Sequence, residues 1–97
     1  MSPQKLAVLS FLQMLPHDKV TTYKALAEKF QIHPRAIATY MRTNKELDIY
    51  PCYKVVAHDG RLSGYVLGID EKRKRLTRDN ILIHNDKVDE SCIIRSF

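Results

Sequence analysis

The residues most able to do chemistry in this sequence surround one cysteine. Cys52 follows Pro51 directly, Tyr53 and Lys54 come next, and a Val-Val pair closes the segment, which we call the cysteine loop (residues 50–56). Because proline fixes its own φ and restrains the residue before it, we expect a rigid turn here. A thiol held in place beside a cation suits nucleophilic chemistry. The alternative is an inert, buried cysteine, because free cysteine often packs as a small hydrophobic residue.

Length and composition are typical of one small globular domain spanning residues 1–97. Of these residues, 44% are hydrophobic and 28% are charged. The sequence contains no apolar run long enough to span a membrane and no N-terminal signal region, so we expect an intracellular location, cytoplasmic or, in a eukaryote, nuclear. Cys52 and Cys92 lie far apart and form no Cys-x-x-Cys pair, which argues against a metal site and favours free thiols.

Basic residues outnumber acidic ones, which favours a polyanionic partner such as nucleic acid. The formal net charge is +5 and the isoelectric point is about 9.4. The excess of positive charge lies before the tail, which is mildly acidic through Asp86, Asp89 and Glu90.

Capping signals divide the first half of the chain into three helices. Ser2-Pro3 is typical of a helix start, and Pro16 is expected to end that helix. After a brief extended segment, helices are predicted over residues 23–30 and 34–42, joined by a turn of about three residues. This outline, about residues 20–43, resembles a helix-turn-helix. The alternative is an ordinary helical hairpin that has no nucleic-acid partner.

The third helix carries residues that suit a nucleic-acid groove. Arg35 and Arg42 flank the small residues Ala36 and Ala38, so this helix could approach DNA closely. The alternative is an amphipathic helix that keeps both arginines in solvent and buries Ile37 in the core.

The second half of the chain is predicted to hold a glycine loop (residues 58–68), a last helix and short strands. Glycines let a backbone approach a ligand closely, although the same residues also suit a simple hairpin. Asp70 is predicted to cap a helix over about residues 70–80, whose basic run suits the helix dipole without any DNA contact. Apolar runs near 81–83 and 93–94 predict short strands. The whole pattern predicts a mainly α fold with short β segments, in a single winged helix-turn-helix-like domain.

The motifs and their order resemble one known family. They are Thr22–Ala27, Arg35–Ile37, Met41–Asn44, Pro51–Val56 and Ser63–Tyr65. In this order they closely resemble the DNA-binding and active-site domain of O6-alkylguanine-DNA alkyltransferases. They also resemble the small relatives of these enzymes, the alkyltransferase-like proteins. The resemblance covers roughly residues 7–84.

This resemblance implies a cofactor-free DNA repair protein, a monomer that enters the minor groove of double-stranded DNA. It would flip an O6-alkylated guanine out of the duplex and transfer the alkyl group irreversibly to Cys52, in a single turnover. Arg35 would fill the gap left by the base, Tyr23 would press on the neighbouring phosphate, and Asn44 would act as a hinge. The implied DNA-binding residues are Tyr23, Arg35, Ala36, Ala38, Thr39 and Arg42, and the implied base-pocket and hinge residues are Asn44, Val55, Ser63, Gly64 and Tyr65.

Departures from the family pattern concern the proton that Cys52 must lose. Tyr53 stands where the family has a relay histidine, and Asp79 aligns with the family's glutamate. We therefore predict Cys52, Tyr53 and Asp79 as the catalytic residues, with Tyr53 relaying the proton, although a phenol is a poorer base than imidazole. Lys54, the residue after Tyr53, is one candidate source of the positive charge that would favour a thiolate. Tyr40 also replaces a generally small residue in the recognition helix.

Two other functions stay open. An alkyltransferase-like protein would flip and hold the lesion without transfer, and would signal to excision-repair proteins. This chain starts at the first helix, as those proteins do, but it keeps the acceptor cysteine that they typically lack. The third hypothesis is a small structural or interaction domain whose helix pair only builds the core.

Overall fold

A small parallel sheet joins the helix-turn-helix to the cysteine loop. The computed structural model describes all residues from Met1 to Phe97 and contains four α-helices and five short strands. The helices are α1 (Pro3–Leu12), α2 (Tyr23–Phe30), α3 (Pro34–Arg42) and α4 (Ile69–Arg78). The strands are β1 (Val20–Thr22), β2 (Val55–Val56), β3 (Ile83–His84), β4 (Lys87–Val88) and β5 (Ile93–Ile94). The predicted mainly α fold with short β segments is confirmed.

Local capping explains where the two helices of the helix-turn-helix begin. At the start of α2, Thr22 Oγ1 accepts a hydrogen bond from the backbone N–H of Ala25 at 3.0 Å. At the start of α3, His33 Nδ1 accepts one from the backbone N–H of Arg35, also at 3.0 Å. Both helices have the predicted bounds. Their capping residues are close in sequence to the first residue of each helix, so the sequence alone indicates where each helix begins.

The first helix ends earlier than predicted. α1 stops at Leu12, well before Pro16. The backbone N–H groups of Met14 and Leu15 donate to the carbonyls of Phe11 and Leu12 at 2.9 and 3.2 Å. These bonds reach only three residues back, so they tighten the chain into a turn that ends the α-helix before the proline is reached.

The three-stranded sheet holds the cysteine loop against the helix pair. Its strand order is β2-β1-β5, with both neighbours parallel to β1. Thr21 in β1 is paired with Val55 on one side and Ile94 on the other, and Thr21 Oγ1 donates to the carbonyl of Ile94 at 2.8 Å. Because β1 leads into α2 and β2 follows the cysteine loop, this pairing fixes the loop beside the helix-turn-helix. β3 and β4 form a separate antiparallel pair.

The last helix begins one residue before its predicted cap. α4 starts at Ile69, and its N-cap is Gly68, which has a φ of 93° and makes no side-chain capping bond. Asp70 instead lies in the first turn and pairs with Arg73 Nη1 at 2.7 Å. The positive φ favours glycine, so backbone conformation and not a side-chain acceptor sets this boundary.

The core consists of two clusters that meet at the cysteine loop. The first packs α1, α2 and α3 together and includes Leu9, Leu26, Ile37 and Cys52. The second cluster lies around α4 and includes Tyr53, Val56, Leu62 and Leu76. Successive residues of the loop therefore belong to different clusters. None of the helices is long and apolar enough to cross a membrane.

Candidate active site

Cys52 lies in the wall of a cleft between α3 and the glycine loop. The cleft has a volume of about 610 Å³. Its lining residues come from α2, α3, the cysteine loop and the glycine loop: Tyr23, Pro34, Arg35, Ala38, Met41, Arg42, Cys52, Ser63, Gly64, Tyr65 and Val66. Eight of these were expected from the sequence, and Pro34, Met41 and Val66 were missed because the resemblance assigned no role to them. The thiol thus faces a space rather than solid core.

A short 3₁₀ turn over Cys52–Lys54 presents the thiol to this cleft. Cys52 is only 3% exposed, and its backbone N–H donates to the carbonyl of Tyr50 at 2.8 Å. Burial raises the pKa of the thiol above its ordinary value, while a hydrogen bond from Asn44 and the charges of Lys72 and Arg75 lower it in part. The neutral thiol is therefore favoured at neutral pH in the resting protein, even with these positive charges present.

Asn44 ties the end of α3 to the cysteine loop. Its side chain is buried; Nδ2 donates to the carbonyl of Tyr50 at 3.0 Å, and Oδ1 accepts from the backbone N–H of Glu46 at 3.0 Å. Tyr50 is also the acceptor for the backbone N–H of Cys52. One carbonyl therefore links the end of α3 and the cysteine loop; the hinge role of Asn44 stays a prediction.

Tyr53 and Asp79 are in contact, but on the far side of the loop from the cleft. The Tyr53 hydroxyl donates to Asp79 Oδ2 at 2.5 Å, and Arg78 Nη2 donates to the same hydroxyl at 3.3 Å. Burial and the neighbouring carboxylate raise the pKa of Tyr53 to about 12. Because the phenol keeps its proton at neutral pH and shares it with Asp79, the predicted relay of the Cys52 proton finds no support in this geometry. The pair instead anchors the loop to the end of α4.

The positive charge near the thiol comes from α4 and not from Lys54. Lys54 Nζ donates to the carbonyls of Pro16 and His17, both at 2.9 Å, so it points to the turn after α1. Lys72 of α4 takes the place predicted for Lys54. It is completely buried, and its positive charge lowers the pKa of the Cys52 thiol. The sequence offered a signal for it, because Lys72 lies one turn before the buried Leu76 on the same face of α4.

The remaining predicted residues divide between the cleft and its surroundings. Val55 is fully buried behind the cysteine and does not line the cleft. Thr39 is exposed and Ala36 is half-buried; both lie on α3 outside the lining. Tyr65 does line the cleft, and its hydroxyl is buried without a hydrogen-bond partner. The Arg75 guanidinium lies over the Tyr65 ring, 5.8 Å from its centroid, and so supports the ring from the α4 side.

Comparison with known proteins places this arrangement in a family. The model of the 6-O-methylguanine DNA methyltransferase DNA binding domain matches residues 3–81. The chain belongs to this family. The resemblance inferred from the order of the motifs is confirmed.

Two relatives are considerably longer than this chain. A bifunctional methyltransferase/endonuclease of Picrophilus torridus is 43% identical over 82 residues, which are 82% of this chain and 28% of that protein. A methylated-DNA–protein-cysteine methyltransferase of Candida glabrata is 41% identical over 78 residues, which are 78% of this chain and 38% of that protein. The chain therefore spans well under two thirds of the length of either relative.

Solved structures of the family have the same fold. The O6-methylguanine-DNA methyltransferase of Pyrococcus kodakaraensis superposes with a TM-score of 0.78 at 33% identity, over 84% of this chain and 48% of that one. An S. pombe protein, crystallised with damaged DNA containing O6-carboxymethylguanine, superposes with a TM-score of 0.75 over 87% of this chain and 82% of that one. At 19% identity, this second likeness concerns the fold alone.

Proposed function

We propose that this chain binds double-stranded DNA with α3 in the minor groove, flips an O6-alkylated guanine into the cleft, and transfers the alkyl group irreversibly to Cys52. One observation carries the proposal: the sulfur-bearing residue and the arginines of the recognition helix line the same cleft. A thiol in an unrelated part of the core would have no access to a base held by that helix.

The dimensions and the chemistry of the cleft support a flipped base as the ligand. A volume of about 610 Å³ lies within the range typical of small-molecule sites. A base inside a duplex is out of reach of a thiolate, so extrusion must precede transfer and costs a few kcal/mol of unstacking. Arg35 is exposed at the start of α3 beside the cleft, where it can occupy the space that the base leaves.

The transfer is a substitution at the alkyl carbon. The Cys52 thiol first loses its proton to water in the cleft, and the sulfur then attacks the carbon bonded to O6 of the guanine. The S–C bond forms as the C–O6 bond breaks, and its electron pair stays on the guanine, which takes a proton from water. The product is an unmodified guanine and a thioether on Cys52, so each molecule reacts once.

Intact-mass analysis tests the proposal directly. The protein is incubated with saturating duplex DNA containing O6-methylguanine, together with Cys52→Ser and Cys92→Ser as matched variants. We expect one added methyl group on the parent and on Cys92→Ser, and none on Cys52→Ser. A parent protein without an adduct at saturating substrate would contradict transfer.

A second candidate function is lesion binding without transfer, and the surroundings of the thiol favour it. Burial raises the pKa of Cys52, and the Tyr53 hydroxyl is held by Asp79 instead of serving as a base. Such a protein would hold the flipped base and leave its removal to excision-repair proteins. Salt-sensitive, lesion-preferring binding that persists in Cys52→Ser, with no adduct on the parent, selects this function. Absence of binding to any duplex at low salt would leave only the structural-domain hypothesis.

A further inference from the structure

Lys72 is a buried cation that has no anionic partner in the resting protein. Its relative exposure is 0%, and it is absent from every ion pair of the structure. Nζ donates to the carbonyls of Val55 at 2.7 Å and of Gly64 at 3.1 Å, which accounts for two of its three N–H donors. Burying an ammonium group that has only neutral partners costs free energy of folding, so a lysine at this position calls for a functional explanation.

The position of Lys72 supplies that reason. Val55 follows the cysteine turn, and Gly64 lines the cleft into which Cys52 faces. The ammonium therefore bridges the backbone behind the thiol and the opposite wall of the cleft. We infer that Lys72 is the positioning residue that holds a fixed positive charge behind Cys52 and stabilises its thiolate in this chain. This inference deepens the proposed function and rests on Cys52 being the reacting group.

Few groups around the cleft could stabilise the Cys52 thiolate with a buried positive charge. The titratable groups that line the cleft with Cys52 are Tyr23, Arg35, Arg42 and Tyr65, and the charges that act on its thiol are those of Lys72 and Arg75 from α4. The two tyrosines are neutral at physiological pH and repel a thiolate only once they ionise. Arg75 is already paired with Glu71 at 2.9 Å, and the α3 arginines are exposed. Lys72 is thus the one fully buried, unpaired charge among them.

The effects of Lys72 and Cys52 on each other's pKa must be reciprocal. Burial lowers the pKa of Lys72 to about 8, and the Cys52 thiolate opposes that shift. The stabilisation of the thiolate is therefore present while Lys72 is protonated and fades as the pH rises through about 8. Lys72 keeps its proton during transfer; the thiol proton goes to water, as in the step described above.

The test uses a small electrophile so that it does not depend on DNA. In a Cys92→Ser background, the rate of Cys52 carbamidomethylation by iodoacetamide is measured from pH 6 to pH 11 by mass spectrometry. The variants are Lys72→Met and Lys54→Met. Lys54 is the matched control, because it is also a buried lysine whose Nζ donates to two backbone carbonyls.

We expect Lys72→Met to move the pH–rate profile of Cys52 upward by about one pH unit, so that the rate near pH 7 falls about tenfold. The profiles should converge at high pH, where Lys72 of the parent has lost its own charge. Lys54→Met should leave the profile unchanged. An unshifted profile for Lys72→Met, an equal shift for both variants, or a rate loss that persists at high pH would overturn the inference.

A second measurement covers the case in which Lys72→Met does not fold. The Lys72 side chain is titrated by NMR in the parent protein, and the carbamidomethylation of Cys52 is measured in Lys72→Arg over the same pH range. The midpoint of Lys72 near pH 8 fixes where its charge is lost, and Lys72→Arg, which keeps a positive charge at higher pH, should therefore carry the pH–rate profile of Cys52 to lower pH than in the parent; a profile that does not move to lower pH would overturn the inference. Neither measurement involves DNA, so a failure here leaves the transfer proposal intact, and a failure of transfer leaves these results interpretable.

Discussion

Replacing Tyr53 by phenylalanine removes one hydroxyl group and separates an anchoring role from a relay role. The hydroxyl donates to Asp79 Oδ2 at 2.5 Å, and both residues are buried, at 7% and 4% exposure. Without it, the carboxylate keeps only longer contacts, to Arg78 Nε at 3.6 Å and His17 Nδ1 at 3.9 Å. The variant therefore leaves the buried Asp79 carboxylate without its shortest hydrogen bond.

The expected cost follows from that loss. A hydrogen bond to a buried charged group contributes about 1.5–3 kcal/mol to the free energy of unfolding. For a domain of this size, each kcal/mol moves the thermal midpoint by about 4–8 °C, so we expect a fall of about 6–24 °C. Tyr40→Phe is the matched control: its hydroxyl donates to Gln4 Oε1 at 2.7 Å in an exposed position, and its loss should cost about 0.5 kcal/mol.

The pH dependence of this stabilisation has a definite sign. The folded-state pKa of Tyr53 is raised from 10.0 to about 12. The contribution of the neutral hydroxyl is therefore complete below pH 10 and is lost as the pH rises towards 12. Urea unfolding at several pH values between 6 and 9 should give a constant difference between the parent and Tyr53→Phe.

Two results would refute this reasoning. A loss of stability no larger than that of Tyr40→Phe would show that the Tyr53–Asp79 contact does not anchor the loop. A fall of about a hundredfold or more in the rate of Cys52 alkylation would show that the hydroxyl does relay the proton, since general bases contribute on that scale. We expect a change of about threefold or less, because the phenol is not a base at neutral pH.

Two further variants test the DNA contact and the glycine loop. Arg35→Ala should weaken binding to lesion-containing duplex about tenfold or more in fluorescence anisotropy, since Arg35 lies beside the cleft. Lys87→Ala, a change at an exposed residue of β4, is the control and should have little effect. Equal effects of the two variants would contradict the insertion of Arg35. Gly60→Ala should lower the free energy of unfolding by about 1–3 kcal/mol, because φ is +93° and a Cβ would lie 3.0 Å from the carbonyl oxygen of Val88. Gly64→Ala, where a Cβ meets open space, should cost about 0.5 kcal/mol or less in the same urea titration.

The helix-turn-helix could be predicted from the sequence because its determinants are local. The bounds of α2 and α3 follow from Thr22, His33 and Pro34, which act on residues two or three positions away. The family could also be recognised, since its motifs are short and occur in a fixed order. The start of α4 was misplaced because its signal is a backbone conformation at Gly68, and a sequence does not display φ.

The direction of each side chain around the thiol was decided only by the tertiary structure. Cys52, Tyr53 and Lys54 are consecutive, and the sequence suggested that they act together. They form a 3₁₀ turn, in which about three residues complete a turn, so successive side chains point about 120° apart. One therefore faces the cleft, the next reaches Asp79, and the third reaches the turn after α1.

The charge beside the sulfur comes instead from a residue distant in sequence. Lys72 reaches the back of the cleft because α4 packs on the cysteine turn and carries it on its buried face. The sequence by itself determined the helices, the motifs and the candidate nucleophile. Which charged groups surround that nucleophile depended on how α4 packs, and contacts between distant segments form only when the chain has folded.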